Sequence, residues 1–195
     1  SVSEANALAI WALYNIKLTE KKGSSVNIAI SPFEHPSVTD TLEKLPFATI
    51  IKLPVSKSFD LLNGQAESLG GGVAALKLSF PAHSATQTKS SVLDLDFLKY
   101  RKGDIDLLIC TLVHNETGII LPLAEILEIL KDTGIPVLCD AAQALAKVNC
   151  CAKISAAKIK ASTWAATKFH PAFFTFSGQK IGAGFGTGLL ILPEE

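Results

Sequence analysis

The residues that decide the fold are 104–140, DIDLLICTLVHNETGIILPLAEILEILKDTGIPVLCD. This segment begins with an apolar run of strand length, continues as an amphipathic helix that ends at Gly134, and returns to an apolar run, IPVLCD. Strands that are apolar along their whole length and are separated by helices are typical of a parallel sheet covered on both faces. The pattern therefore predicts a three-layer α/β/α domain with a mostly parallel sheet.

The same alternation of strand and helix extends to both sides of this segment. Ser3 is predicted to cap a first helix that ends near Gly23, and a strand VNIAI, a short helix over residues 35–45 and a strand FATIIKL follow. Two more strands, AFFTF and LLILP, lie near the C-terminus. Residues 54–91 are predicted to be an insertion or loop region with one strand over residues 73–80, and residues 164–171 a second, smaller insertion.

Composition limits the possible partners. The chain has 195 residues, enough for one sizeable domain, and its 18 basic side chains balance 18 acidic ones. This balance favours neither nucleic acid nor an anionic membrane, and no apolar run approaches the roughly 20 residues that a membrane span requires. Four cysteines, two of them adjacent, resemble neither a disulfide framework nor a metal site. We expect a cytoplasmic protein without a metal, whose partner is a small molecule or another protein.

Polar residues follow three of the predicted strands directly. Asn115 comes after LLICTLV, Asp140 and Gln143 come at and after the end of IPVLCD, and Ser177 and Lys180 come after AFFTF. Ligands of open parallel sheets bind beyond the carboxyl ends of the strands. The sequence therefore predicts a ligand site at this edge of the sheet.

Five segments, in this order, resemble motifs of the class V aminotransferase family of pyridoxal-phosphate enzymes, and within it those of the cysteine desulfurases. They are VSEANALAI, FEHPSV, HNETG, DAAQALAKV and FSGQKIGAGFGTGLLIL. The resemblance implies the large domain of that fold, with pyridoxal 5′-phosphate as cofactor. It also implies the following roles: Ser3, Ser177 and Gln179 near the phosphate, His35 stacked on the pyridine ring, Asn115 beside cofactor and substrate, Asp140 at the ring nitrogen, Gln143 at the phenolic oxygen, and Lys180 as the Schiff-base lysine, with Lys180 and His35 as the catalytic residues.

These residue types suit that chemistry. A lysine amine can hold an aldehyde and later take up the substrate proton, and a carboxylate such as Asp140 keeps a ring nitrogen protonated so that the ring accepts electrons. A helix N-terminus with a hydroxyl residue suits a phosphate dianion. Alone, Asp140 fits the simpler role of capping a turn, and Lys180 alone fits a solvated lysine. Their occurrence in one ordered series favours function.

The sequence departs from the family pattern in several places. Gln179 stands where the desulfurases carry histidine, and an amide can still donate a hydrogen bond to phosphate. The family's smaller C-terminal domain, with its cysteine and its arginine, has no counterpart after Glu195, and the chain contains no methionine. We therefore expect residues 1–195 to be a pyridoxal-phosphate-binding large domain truncated at both ends.

Several functions remain open at this stage. The resemblance implies an amino-acid substrate, a homodimer and a sulfur-acceptor protein as a further partner, with cysteine desulfurase as the favoured reaction. A class V aminotransferase, a cysteine or selenocysteine lyase and a scaffold domain inactive without its C-terminal half are the alternatives. The glycines of GAGFGTG also suggest a nucleotide loop, but a dinucleotide fingerprint must open a helix, and a strand is predicted here instead.

Overall fold

The computed structural model describes residues 1–57, 91–145, 147 and 172–192. These residues form one six-stranded sheet with helices on both faces. Within these ranges there is no helix whose length and apolar character would let it span a bilayer.

The strands are β1 (Val26–Ile30), β2 (Ala48–Lys52), β3 (Leu107–Thr111), β4 (Val137–Asp140), β5 (Ala172–Ser177) and β6 (Gly188–Ile191). They lie in the order β2-β1-β3-β4-β5-β6. The first five are parallel, and β6 returns antiparallel to β5 through a short connection. The predicted mostly parallel α/β sheet is thus confirmed, and the carboxyl ends of β3, β4 and β5 lie side by side.

The helices are α1 (Val2–Glu20), α2 (Pro36–Leu42), α3 (Leu95–Arg101) and α4 (Leu123–Leu130). The prediction that Ser3 caps the first helix is wrong, because Ser1 is the N-cap and forms a capping box with Glu4. The reason is that the S-x-x-E signature begins at Ser1, whose hydroxyl accepts the Glu4 N–H while the Glu4 carboxylate reaches back to the cap. Ser3 lies in the first turn instead.

Two apolar cores cover the two faces of the sheet. Helices α1 and α2 pack on one face through Ile10, Leu13 and Val38, against strand residues that include Ile28 and Leu138. Helices α3 and α4 pack on the other face through side chains such as Leu98, Ile126 and Leu130, against Leu108 and Val137. Because successive strand residues point to opposite faces, a fully apolar strand such as β3 supplies both cores.

Other boundaries differ from the sequence-based ones. The segment 104–113 forms a strand only over Leu107–Thr111, because residues Lys102–Asp104 make a 3₁₀ turn before it. Helix α3 was not predicted, although Asp94 caps it by accepting the Phe97 N–H at 2.9 Å. The predicted strand over residues 73–80, the second insertion and most of the region 54–91 lie outside the described residues.

Candidate active site

A cavity of about 180 Å³ opens at the carboxyl edge of β3, β4 and β5. Six of the eight residues predicted for the site line it, together with four others. The lining residues are Val2, His35, Thr111, Val113, Asn115, Asp140, Ala142, Gln143, Ser177 and Lys180. The prediction that the polar residues after these strands meet at one edge is therefore confirmed.

Asp140, the last residue of β4, is held on both carboxylate oxygens. Oδ1 accepts the Ala142 N–H at 2.9 Å, and Oδ2 accepts the Asn6 side-chain amide at 2.8 Å. Asp140 is only 4% exposed. The first bond is the turn cap that the simpler interpretation predicted, and the second fixes the carboxylate toward α1, while the contact with a ring nitrogen stays a prediction.

Asn6 is a polar residue of the site that sequence reasoning did not single out. It is fully buried in α1, where its amide donates to Asp140 and, at 3.4 Å, to the Ser37 hydroxyl, while its oxygen accepts the Thr175 hydroxyl. It therefore joins α1 to β4, β5 and α2. A signal was available, since Asn6 falls in the helical stripe that continues with Ile10 and Leu13, where an apolar residue is the rule.

His35 is the N-cap of α2, and Pro36 follows it as the first helical residue. Its Nδ1 accepts the Ser37 N–H at 3.1 Å and lies 2.9 Å from the Ser37 hydroxyl. Because Nδ1 is occupied as an acceptor, the neutral ring carries its proton on Nε2. The cap thus fixes both the tautomer and the direction of a ring that lines the cavity.

The remaining polar lining residues come from three different strand ends. The Gln143 Oε1 accepts the Lys147 ammonium at 2.8 Å, which leaves its amide nitrogen as the donor of that side chain. Asn115 is exposed in the turn after β3, where His114 contacts Thr117 at 2.8 Å. Ser177 ends β5 and is 6% exposed. These groups supply amide and hydroxyl donors around one space.

Lys180 lies in the connection between β5 and β6. A 3₁₀ turn, Gly178–Ile181, carries it, and Gly182 ends the turn with a positive φ of 84°. Gly188 begins β6 against the start of α1, where a Cβ would lie 2.2 Å from the Ser1 carbonyl oxygen. The glycines therefore serve a turn and a close backbone approach. Because strand β6 follows them, they do not open a helix, and the nucleotide-loop interpretation is wrong.

Ser3 and Gln179 are the two predicted residues that do not line the cavity. Both are exposed, Ser3 in the first turn of α1 and Gln179 beside Lys180. The N-terminus of α1 does reach the cavity, but through Val2. Phosphate contacts by these two residues stay predictions.

A second carboxyl group, that of Glu34, accepts the N–H of Thr111, a residue that lines this cavity. Burial raises the pKa of Glu34 to about 7, although hydrogen bonds from Ser31 and the Thr111 N–H oppose the shift. Its Oε2 is buried without a hydrogen-bond partner among the described residues. The two strand cysteines, Cys110 and Cys139, are free and fully buried core thiols. Hydrogen bonding of the Cys139 thiol to Cys110, together with burial, raises the pKa of Cys139.

The donor set of the cavity matches the requirements of a phosphorylated pyridine aldehyde. An amine, a buried carboxylate, an imidazole, amides and a hydroxyl face one space beside a helix N-terminus. Within the described ranges, no three His, Cys, Asp or Glu side chains come together as they would around a metal ion. The residues present therefore fit an organic cofactor with a cationic ring nitrogen and an anionic end.

The sheet order and this site define an α/β domain of the kind found in pyridoxal-phosphate enzymes. The family model for aminotransferase class V matches residues 77–195. Since that is more than half of the sequence, the chain belongs to the class V aminotransferase family. A comparison with curated proteins gave no match.

Solved structures share the fold at low sequence identity. Apo cysteine desulfurase from Thermococcus onnurineus NA1 matches with a TM-score of 0.59 and 20% identity, over 100% of this chain and 37% of that one. DndA from Streptomyces lividans matches with a TM-score of 0.60 and 24% identity, over 98% of this chain and 40% of that one. Sphingosine-1-phosphate lyase from Burkholderia pseudomallei matches with a TM-score of 0.59 and 11% identity, over 97% of this chain and 36% of that one. The chain thus spans 36% to 40% of the length of these three structures.

Proposed function

We propose that this chain is the cofactor-binding part of an enzyme that uses pyridoxal 5′-phosphate to act on an amino acid. The observation that carries the proposal is that Asp140 and Lys180 line the same cavity at the carboxyl edge of the sheet. A carboxylate that stabilises a protonated ring and an amine that tethers an aldehyde must share one space for this chemistry. Membership of the class V aminotransferase family supports the same conclusion.

Five of the lining residues have a defined part in this proposal. Asp140 would hold the ring nitrogen, the Gln143 amide would donate to the phenolic oxygen, and the His35 ring would lie against the pyridine face. Ser177 and the N-terminus of α1, with Ser3 and Gln179 as further donors, would receive the phosphate. The cofactor supplies an electron sink for bonds at the substrate α-carbon. The Lys180 amine would tether it and take up the substrate proton.

The reaction that we favour is cysteine desulfuration. In balanced form, cysteine and a thiol give alanine and a persulfide, so that sulfur passes to the thiol and alanine keeps the α-carbon. The order of the five sequence motifs supports this reaction. We further propose that the protein is a homodimer. We also propose that it is located in the cytoplasm, a reducing compartment that the free thiols Cys110 and Cys139 favour. A sulfur-acceptor protein would receive the persulfide sulfur.

Absorption spectroscopy with pyridoxal 5′-phosphate tests cofactor binding. We expect a band at about 400–430 nm in the wild-type chain and its loss in Lys180→Ala. Lys44→Ala is the matched control, because Lys44 is equally exposed but does not line the cavity. A band that survives in Lys180→Ala would contradict the role of this lysine. Absence of a band in the wild-type chain would favour the scaffold alternative.

Product analysis distinguishes the reactions, because the fold is shared with a lyase and does not choose between them. With cysteine as substrate, the favoured reaction gives alanine and, in the presence of a reductant, sulfide. A lyase that eliminates sulfide gives pyruvate instead, and an aminotransferase needs a keto acid as a second substrate. Pyruvate without alanine would overturn the desulfurase proposal while leaving cofactor binding intact.

A further inference from the structure

Glu34 lies where the loop after β1 meets the end of β3. Its Oε1 accepts the Thr111 N–H at 2.7 Å and also accepts the Ser31 hydroxyl. Both donors use the same oxygen, and the other oxygen, Oε2, is buried without a partner among the described residues. A neutral carboxyl group therefore carries its proton on Oε2, where no competing donor is present. Such an arrangement suits a group that changes between its neutral and its charged form.

The carboxyl group of Glu34 is a close neighbour of Asp140. Thr111, which donates to Glu34, is the register partner of Asp140 across the β3–β4 pair. Adjacent strands are separated by about 4.8 Å, so the residue that binds Glu34 lies beside Asp140 at one end of the sheet. The negative charge of Asp140 adds to the burial that raises the pKa of Glu34. The charge of Glu34 therefore acts on the cavity that Thr111 and Asp140 both line.

The groups that face Glu34 come from three elements. The β1 loop contributes Ser31, and also His35, whose Nδ1 is turned to Ser37. Strand β3 contributes the Thr111 N–H, and β4 contributes Asp140, while the buried Cys139 thiol responds to both carboxyl groups. Within the described part of the chain, no lysine or arginine forms an ion pair with Glu34. No cationic side chain of the described residues therefore neutralises its charge.

We propose that Glu34 is a positioning residue whose buried carboxyl group, bonded to Thr111 beside Asp140, sets how strongly the cavity binds a protonated ring nitrogen. The proposal rests on the proposed function, because it concerns the cofactor-binding site. Ionisation of Glu34 adds one negative charge at the end of the sheet where Asp140 lies. This charge attracts a cationic ring more strongly than the neutral group does, since its field acts through a buried medium.

The test compares the binding of two ligands to the full chain from pH 5.5 to 8.5. The ligands are pyridoxal 5′-phosphate and its analogue with a ring CH in place of the ring nitrogen. Glu34→Gln preserves the shape of the side chain and stays neutral throughout. For the true cofactor, the ratio of Kd in Glu34→Gln to Kd in the wild type should rise from about one to on the order of tenfold across neutral pH. For the analogue the ratio should stay constant.

A second variant covers the case in which Glu34→Gln does not fold. Ser31→Ala retains the carboxyl group but removes a donor that favours its anion, so the step in affinity should move to higher pH. A ratio that does not change with pH, or an equal step for both ligands, would overturn the role of Glu34 alone. Failure of the wild-type chain to bind either ligand would instead overturn the proposed function together with this inference.

Discussion

The carboxylate of Asp140 illustrates how one side chain serves both folding and chemistry. It caps the turn after β4 through the Ala142 N–H and receives the Asn6 amide on its other oxygen. A buried carboxylate without such partners would be costly, and each donor also fixes its direction. The sequence could predict the position of Asp140 from the strand that precedes it. It could not predict that Asn6 is the partner of Asp140, because that contact joins residues 134 positions apart.

Asn6→Ala should destabilise the domain. The substitution leaves the Asp140 Oδ2 and the Thr175 hydroxyl without their buried partner, which costs about 1–3 kcal/mol. Chemical denaturation measures the change in the free energy of unfolding. Asn15→Ala is the control, because Asn15 is exposed on the same helix and its loss should change stability by less than about 0.5 kcal/mol. Equal stability of the two variants would show that the Asn6 network contributes nothing.

Glu34 should make stability depend on pH. Because its pKa is raised from 4.5 to about 7 on folding, the folded state binds the proton more tightly. This contribution is fully present below pH 4.5 and is lost as pH rises through 7, with a total change of about 3 kcal/mol. Denaturation curves at pH 5 and pH 8 measure most of this change, and in Glu34→Gln the difference in stability between the two pH values should shrink by about 2.5 kcal/mol. Asn15→Ala, which changes no charge, should retain the wild-type difference.

At the scale of elements, the connection from β5 to β6 brings Lys180 to a cavity that the N-terminus of α1 also lines. The spacing of its glycines alone was compatible with two different structures, a nucleotide loop and a turn that carries Lys180. What decided between them was the apolar run after the glycines, which forms β6 and not a helix. The contact of Gly188 with Ser1 shows that this hairpin also fixes where α1 begins.

Gly188→Ala should disrupt this contact. A Cβ at this position would lie 2.2 Å from the Ser1 carbonyl oxygen and 2.9 Å from the Val2 nitrogen, so the backbone of α1 or β6 must move. Overpacking of this kind costs about 1–3 kcal/mol. Gly184→Ala is the matched control, since no atom lies within 4 Å of a Cβ there and the change should alter stability by less than about 0.5 kcal/mol. Thermal unfolding of both variants checks the prediction, which an unaltered Tm of Gly188→Ala would contradict.

At the scale of the whole molecule, the parallel sheet was predictable because its central strands are apolar on both faces. A strand such as LLICT is buried along its whole length, and it can be buried on both faces only between two helical layers. Helix α3 was missed because a short helix depends on a local capping bond and shows no long periodic pattern of apolar residues. The cap of α1 was assigned to the wrong serine because a cap also depends on local bonds. The site edge followed from topology, whereas Asn6 and Glu34 required knowledge of contacts between distant segments.

The two cores should unfold together because the same strands supply both. Leu108 lies in the core under α3 and α4, and Leu138 lies in the core under α1 and α2, yet their strands are hydrogen-bonded neighbours. Truncation of either to alanine should cost about 2–5 kcal/mol. Both variants should shift one transition, observed equally by circular dichroism and fluorescence. Leu8→Ala, at a side chain 64% exposed, should leave it unchanged. A transition in Leu108→Ala that splits in two would mean that the layers fold separately, in which case the lysine on β5–β6 and the carboxylate on β4 would not be held by one cooperative sheet.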